Sequence, residues 1–290
     1  MSLVDTTGAG PSLAEDSVAR PRRTVDRILA GNAWLVFAFL YLPILVLIAL
    51  SFNDNTRVGV WTEFSFRWYG EMFGHTRIMS ALRTSILVAL MSTAVSTVLG
   101  TAAALSMERF RYRGQRAFDG LLYLPVIIPD ITMAVMLLLF FVQAFDIVLL
   151  VTGVGLSRGV GTITLAHIAF NISFVALVVR ARLAGLDSRL EEAAADLYAS
   201  RWQAFRRVTL PLIAPGVAGG ALLALTLSLD DVVIAEFVSG AGTTTLPVYV
   251  FGAVRRGVSP LINAVSVLML VGSILLVVGA LAISRRRVET

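Results

Sequence analysis

Six separate stretches of this chain are each long and apolar enough to cross a lipid bilayer: 32–52, 81–107, 117–141, 160–183, 211–238 and 261–283. A hydrocarbon core roughly 30 Å thick takes about 20 apolar residues of helix. Lipid offers no water to the backbone, so each peptide group must pair within its own segment, as a helix allows. The runs are continuous rather than alternating, which disfavours a closed β-barrel. The expected fold is all-α: six membrane helices within 31–285, a cytoplasmic tail at 1–30 and a short one at 286–290.

The chain is 57% apolar and 15% charged, against about 45–50% and about 25% in soluble proteins. What is missing narrows the chemistry. There is no Cys, which excludes disulfides, thiolate nucleophiles and Cys-zinc sites. Every basic residue is Arg. A P-loop ATPase needs its Lys on the phosphates, and a Schiff-base enzyme needs one for its covalent bond. The sequence pI near 10.2 does not point to nucleic acid. The arginines flank apolar runs instead of forming one solvated face.

That placement sets the orientation. With the amino terminus inside, Arg20, Arg22, Arg23 and Arg27, then Arg109, Arg111, Arg113 and Arg116, fall on the cytoplasmic side. So do Arg180, Arg182, Arg189, Arg201, Arg206, Arg207 and the closing run Arg285 to Arg287. Only Arg57, Arg67, Arg77, Arg83, Arg158, Arg255 and Arg256 fall outside. Both termini are therefore expected in the cytoplasm. Trp61, Phe64, Phe66, Trp68, Tyr69 and Phe73 lie between the first two spans and read as an interfacial aromatic segment. On span two, Ser92, Ser96 and Gly100, with Ala89, Thr93, Thr97 and Thr101, recur at four-residue spacing and predict close helix packing.

The loop 186–211 is long and amphipathic. Ser188 with Glu191, and Ser200 with Gln203, have the spacing of capping boxes. They predict two short helices, near 189–197 and 201–208, with Pro211 opening span five. Such a pair either covers the ends of its own bundle or inserts into a groove on a partner.

Glu192-Ala193-Ala194, Asp196-Leu197, Ala199-Ser200, Trp202 and Leu210-Pro211 resemble the EAA loop of binding-protein-dependent ABC importer permeases. The segments 41–44, 51–53, 124–131, 226–240, 243–251 and 257–264 are similar to the C-type permease of spermidine/putrescine importers. The resemblance implies a type I permease core in the inner membrane, with the loop as a coupling helix docked in a cleft of an ATPase. It also implies two copies of that ATPase, a second related permease, an extracytoplasmic polyamine-binding protein and a polyamine cargo. The permease itself would be non-catalytic, and ATP and Mg would belong to the partner ATPase. One position departs from the pattern: Tyr198 stands where the family has Gly. Either the turn there is built without a left-handed residue, or Tyr198 adds an apolar contact to the partner groove.

Carboxylates inside a span are costly and mark a pathway or a pair. Asp130 follows Pro125 and Pro129, where a kink is expected. Asp230, Asp231 and Glu236 lie in the last third of span five. At 1.5 Å per residue, Asp230 is about 28 Å beyond Pro211, and Asp130 about 20 Å beyond Ala117. These acids could line a path for ammonium groups, or pair with Arg255 or Arg256, or reach the outer interface. Thr164, His167 and Asn171 form a polar stripe on span four, with His167 expected to bond a neighbouring helix. Gly155, Ser157 and Gly159 formally match a nucleophile elbow but lack its strand–turn–helix setting. His75 reads as lone and exposed. The alternatives are an importer for a phosphonate, iron or an amino acid, or an ion-coupled secondary transporter using the same acids.

Overall fold

A computed structural model describes residues 23–57, 59–187 and 189–286. Among these, the architecture is all-helical apart from one isolated bridge, Asn53 to Phe64. Six helices are long and apolar enough to span a membrane.

The first, α1 (Arg23–Ser51), carries Pro43 within it and shows Trp34, Leu35 and Phe39 on its surface. Large apolar side chains outward are what a helix solvated by lipid needs.

Beyond α1, a short helix α2 (Arg67–Gly74) leads into α3 (Thr76–Arg109), α4 (Gln115–Ile127), α5 (Asp130–Thr152) and α6 (Val160–Leu183). Next come α7 (Arg189–Asp196), α8 (Arg201–Ala204) and a π turn (Phe205–Thr209) that runs into α9 (Leu210–Asp230). The chain continues through α10 (Val233–Val238), α11 (Leu246–Arg256) and α12 (Pro260–Arg286).

Helices α3, α6 and α9 pack together at the centre, and α6 is the most buried of the candidate spans. Their close approach depends on missing side chains. A Cβ on Gly100 would stand 2.7 Å from Val175 Cβ and 2.8 Å from the Ile172 carbonyl. A Cβ on Gly220 would stand 3.3 Å from Val175 Cα. Val175 of α6 is thus seated between two glycines, and Ser92 and Ser96 are buried along the same face of α3.

Two expected spans are broken. The run 117–141 is not one kinked helix: α4 ends at Ile127, and α5 starts afresh at Asp130. Pro129 pushes Ile128 to an extended conformation (φ −72°, ψ 133°), so the helix stops there. The third span is therefore 130–152, and Asp130 opens it instead of lying deep in a continuous helix. The run 211–238 also stops early. Asp231 takes an extended backbone (φ −66°, ψ 128°), separating α9 from α10.

The start of span five differs as well. Pro211 stands in the first turn of α9, as expected, but the span does not begin there, because the chain is helical without interruption from Arg201 to Asp230. The join is the π turn, in which the Leu210 N–H reaches back five residues to the Phe205 carbonyl. Pro211 has no N–H of its own, and the widened turn is the device by which a helix absorbs an interrupted ladder.

The segment before α2 is anchored by Asn53, which is fully buried. Its Nδ2 donates to the Val60 carbonyl at 2.8 Å, and its carbonyl accepts Trp68 Nε1–H at 2.7 Å. Trp68 is therefore buried in protein, while Trp61, Phe64, Phe66 and Phe73 are exposed. His75 is half-buried beside the Tyr249 ring instead of exposed.

Candidate functional sites

The loop after α6 carries the residues of the EAA resemblance. Ser188, half of the first expected capping box, lies outside the described residues. The second box forms: the Gln203 N–H donates to Ser200 Oγ, and the Ser200 N–H donates to Gln203 Oε1 at 2.8 Å. It opens α8 and so sets the angle between the two short helices.

The end of α7 is closed by two reversed bonds. The Tyr198 N–H donates to the Ala195 carbonyl at 2.9 Å, and the Ala199 N–H to the Ala194 carbonyl at 3.1 Å. This is the pattern that places a left-handed residue just past a helix. Tyr198 is that residue, with φ 60°, and no other non-glycine among the described residues has positive φ. The turn therefore keeps its left-handed geometry despite the bulky side chain, at a cost of about 1–2 kcal/mol.

The faces of α7 are unlike. Glu192, Ala193, Asp196 and Leu197 are exposed, Tyr198 is 98% exposed and Leu197 82%. Trp202, 66% exposed, rests its ring 5.6 Å from that of Phe205. Ala194 and Glu191 are turned toward the helical body. Glu191 is held by both guanidinium nitrogens of Arg109, at the end of α3, and by the Thr209 hydroxyl, at the end of the π turn. Burial pushes the Glu191 carboxyl up, but the hydrogen bonds from Arg109 and Thr209 and the Arg109 charge outweigh it and hold it below the ordinary range. Nearby, Arg180 pairs with Asp119 of α4 at 2.6 Å.

A second polar cluster lies among α3, α6 and α9. Ser228 Oγ is its centre. It is 2.9 Å from Ser92 Oγ, accepts Asn171 Nδ2–H at 2.9 Å and stands 3.2 Å from His167 Nδ1. The other ring nitrogen, Nε2, is 3.2 Å from Asp231 Oδ2. A carboxylate can only accept, so Nε2 carries the proton. In the neutral ring Nδ1 then accepts from the Ser228 hydroxyl. Asp231 also accepts the N–H groups of Ile234 (3.2 Å) and Ala235 (2.7 Å), and so caps α10. His167 bonds a neighbouring helix, as its place on the α6 stripe predicts. Thr164 of that stripe donates instead to its own helix at the Val160 carbonyl.

The other acids are less occupied. Asp130, Asp230 and Glu236 are exposed and make no ion pair among the described residues, with Arg255, Arg256 or any other cation. Asp230 borders a cavity of about 280 Å³ walled by Leu82, Ile86, Leu246, Leu268 and Met269. Glu236 borders a cleft of about 460 Å³ with Arg77, Tyr249 and Arg256. Asp230 and Glu236 thus border different cavities. Ser157 lies between α5 and α6, in a loop with no strand before it.

Sequence reasoning missed Arg109, Glu191, Thr209 and Ser228 as partners. Arg109 counted only toward orientation, and Glu191 only as a cap. The available signal was helical spacing, since Glu191 and Ala194 fall together on one side of α7, opposite Glu192, Ala193 and Asp196.

Residues 96–289 match the family described as binding-protein-dependent transport system inner membrane component. The chain is 45% identical over 237 residues to the putrescine transport system permease protein PotI of Escherichia coli K12, covering 81% of this chain and 83% of that one. It is 38% identical over 264 residues to the spermidine/putrescine transport system permease protein PotC of Haemophilus influenzae, covering 90% and 99%. Among solved structures, a chain of a bacterial ABC transporter that imports the acidic polysaccharide alginate has the same fold. Its TM-score is 0.76 at 18% identity, over 91% of this chain and 96% of that one.

Proposed function

The chain belongs to the family of binding-protein-dependent transport system inner membrane components, and on that premise we propose that it is the permease subunit of an ATP-driven polyamine importer. It is a multi-pass membrane protein by its six apolar spans. It supplies the path and the mechanical linkage, while ATP and Mg belong to a partner ATPase dimer. A second, related permease completes the path, and an extracytoplasmic binding protein delivers the cargo.

One observation carries the coupling role. An apolar tip, Leu197-Tyr198 with Trp202, is exposed on the side that the arginines assign to the cytoplasm, and its backbone is held in a strained left-handed turn. Strain and exposed apolar area together are features of a surface made for a partner. Glu192, Ala193, Ala194, Asp196, Ala199 and Ser200 shape this tip, and Leu210-Pro211 joins it to α9 through the π turn.

For the cargo, the carboxylates Asp130, Asp230 and Glu236, which make no ion pair among the described residues, suit ammonium groups that must shed water on the way through. Asp231 acts beside them by fixing the break behind Asp230. Support for a polyamine comes from these acids and from the two relatives, whose names record putrescine and spermidine transport. Uptake of labelled putrescine and spermidine by a strain lacking the chain, complemented with the parent or with Asp130→Asn or Asp230→Asn, tests the reading. We expect the parent to restore uptake and both variants to lower it about tenfold, the scale of one lost charge-assisted contact of about 1.4 kcal/mol. Parent levels in both variants, or no uptake with the parent, would reject it.

A further inference from the structure

The two acidic residues that open α7 are adjacent in sequence and opposite in situation. Glu192 points away from the helical body and makes no ion pair among the described residues. Glu191 points into it and joins three elements that are far apart in sequence. Its Oε2 accepts from Arg109 Nη1, and its Oε1 from Arg109 Nη2 and Thr209 Oγ1. Arg109 Nη2 also lies 3.3 Å from Thr209 Oγ1, so the three side chains close a ring. Thr209 is 1% exposed. The ring forms one wall of a cleft of about 430 Å³ that Leu183, Leu186, Leu190 and Leu212 also border.

We propose that Glu191 is a positioning residue that makes α7, the end of α3 and the start of α9 move as one lever. The inference rests on the reading of α7 as the ATPase-docking helix. The geometry supports it in three ways. A bidentate guanidinium–carboxylate pair fixes orientation as well as distance, unlike a single point contact. The pair joins α7 to the last residue of α3, a helix of 34 residues that is long and apolar enough to cross a membrane. The shared Thr209 contact lies at the π turn, where the α9 ladder is already interrupted and a small rotation of α7 can be passed on. Along the chain itself, α7 is linked to α9 only by the turn at Tyr198, the four-residue helix α8 and the π turn.

The test uses the complete complex, with its ATPase and binding protein, reconstituted in proteoliposomes. Three quantities are read: ATPase retained on purification, ATP hydrolysis stimulated by loaded binding protein, and cargo taken up per ATP hydrolysed. For Glu191→Ala and Glu191→Gln we expect retained ATPase at the parent level and uptake per ATP lowered about fivefold or more, the lower range of measured site-to-site coupling. The charge swap Arg109→Glu with Glu191→Arg should recover part of the loss that Arg109→Glu alone causes. A residue that merely stabilised the fold would lower the amount of complex and leave the ratio unchanged. If Glu191→Ala fails to assemble, the near-isosteric Glu191→Gln decides. Uptake per ATP within twofold of the parent in Glu191→Gln overturns the proposal, and so does loss of the ATPase from an otherwise intact complex, since Glu191 would then belong to the docking surface. If the parent itself retains no ATPase, the docking reading fails instead.

Discussion

The cluster around Ser228 and the loop around Tyr198 use polar groups in opposite ways. In the first, Ser92, His167, Asn171, Ser228 and Asp231 bond one another across three helices, with Asn171 Oδ1 left over, and all but Asp231 are buried. In the second, the polar contacts to distant parts of the chain are made on the inner side, by Glu191, and the outer side presents Leu197, Tyr198 and Trp202. Lipid explains the first arrangement, because an unpaired polar group among apolar helices is costly. Water does not explain the second, since three large apolar side chains gain nothing by facing it. The partner surface proposed for this tip would. The comparison separates two uses of carboxylates too: Asp231 holds a helix break in place, whereas Glu191 holds a moving part.

Breaking the inner cluster should produce the larger effect. Ser228→Ala removes the hydroxyl shared by Ser92, His167 and Asn171 without adding bulk. We expect a destabilisation of about 2 kcal/mol, read as a lowered unfolding midpoint in detergent, since several buried partners are orphaned at once. A midpoint unchanged from the parent would mean that the cluster is idle.

The outer turn should respond with the opposite sign and a smaller size. Tyr198→Gly removes the steric cost of φ 60° and should stabilise the end of α7 by about 1 kcal/mol. Slower hydrogen exchange at Ala199 and nearby amides of the isolated permease would show it. Faster exchange would mean that the Tyr side chain itself holds the turn.

The six spans were readable because hydropathy over a long window reports on solvent, and lipid is a demanding one. Where helices stop inside an apolar run was not readable in the same way. Ile128 and Asp231 break helices within stretches that are apolar on both sides, so a long hydropathy window runs straight across them, and only Pro129 announced the first break. The π turn before Pro211 left no hydropathy signal either, because a widened turn changes the ladder and not the composition. Tyr198 was flagged as the odd residue of its motif, yet its φ could not be deduced, since both a changed turn and a strained one fit the sequence. The ring of Arg109, Glu191 and Thr209 was out of reach. Its members lie on separate elements, and their meeting depends on how α3, α7 and α9 pack.

The central claim is that the exposed apolar tip is the place where a nucleotide-hydrolysing partner takes hold. The most direct measurement is retention of the ATPase on the purified permease when Leu197→Glu and Trp202→Glu are introduced together. The account predicts loss of the ATPase and of ATP-driven uptake with the permease still inserted at the parent level. An ATPase that remains bound with unaltered uptake would contradict it.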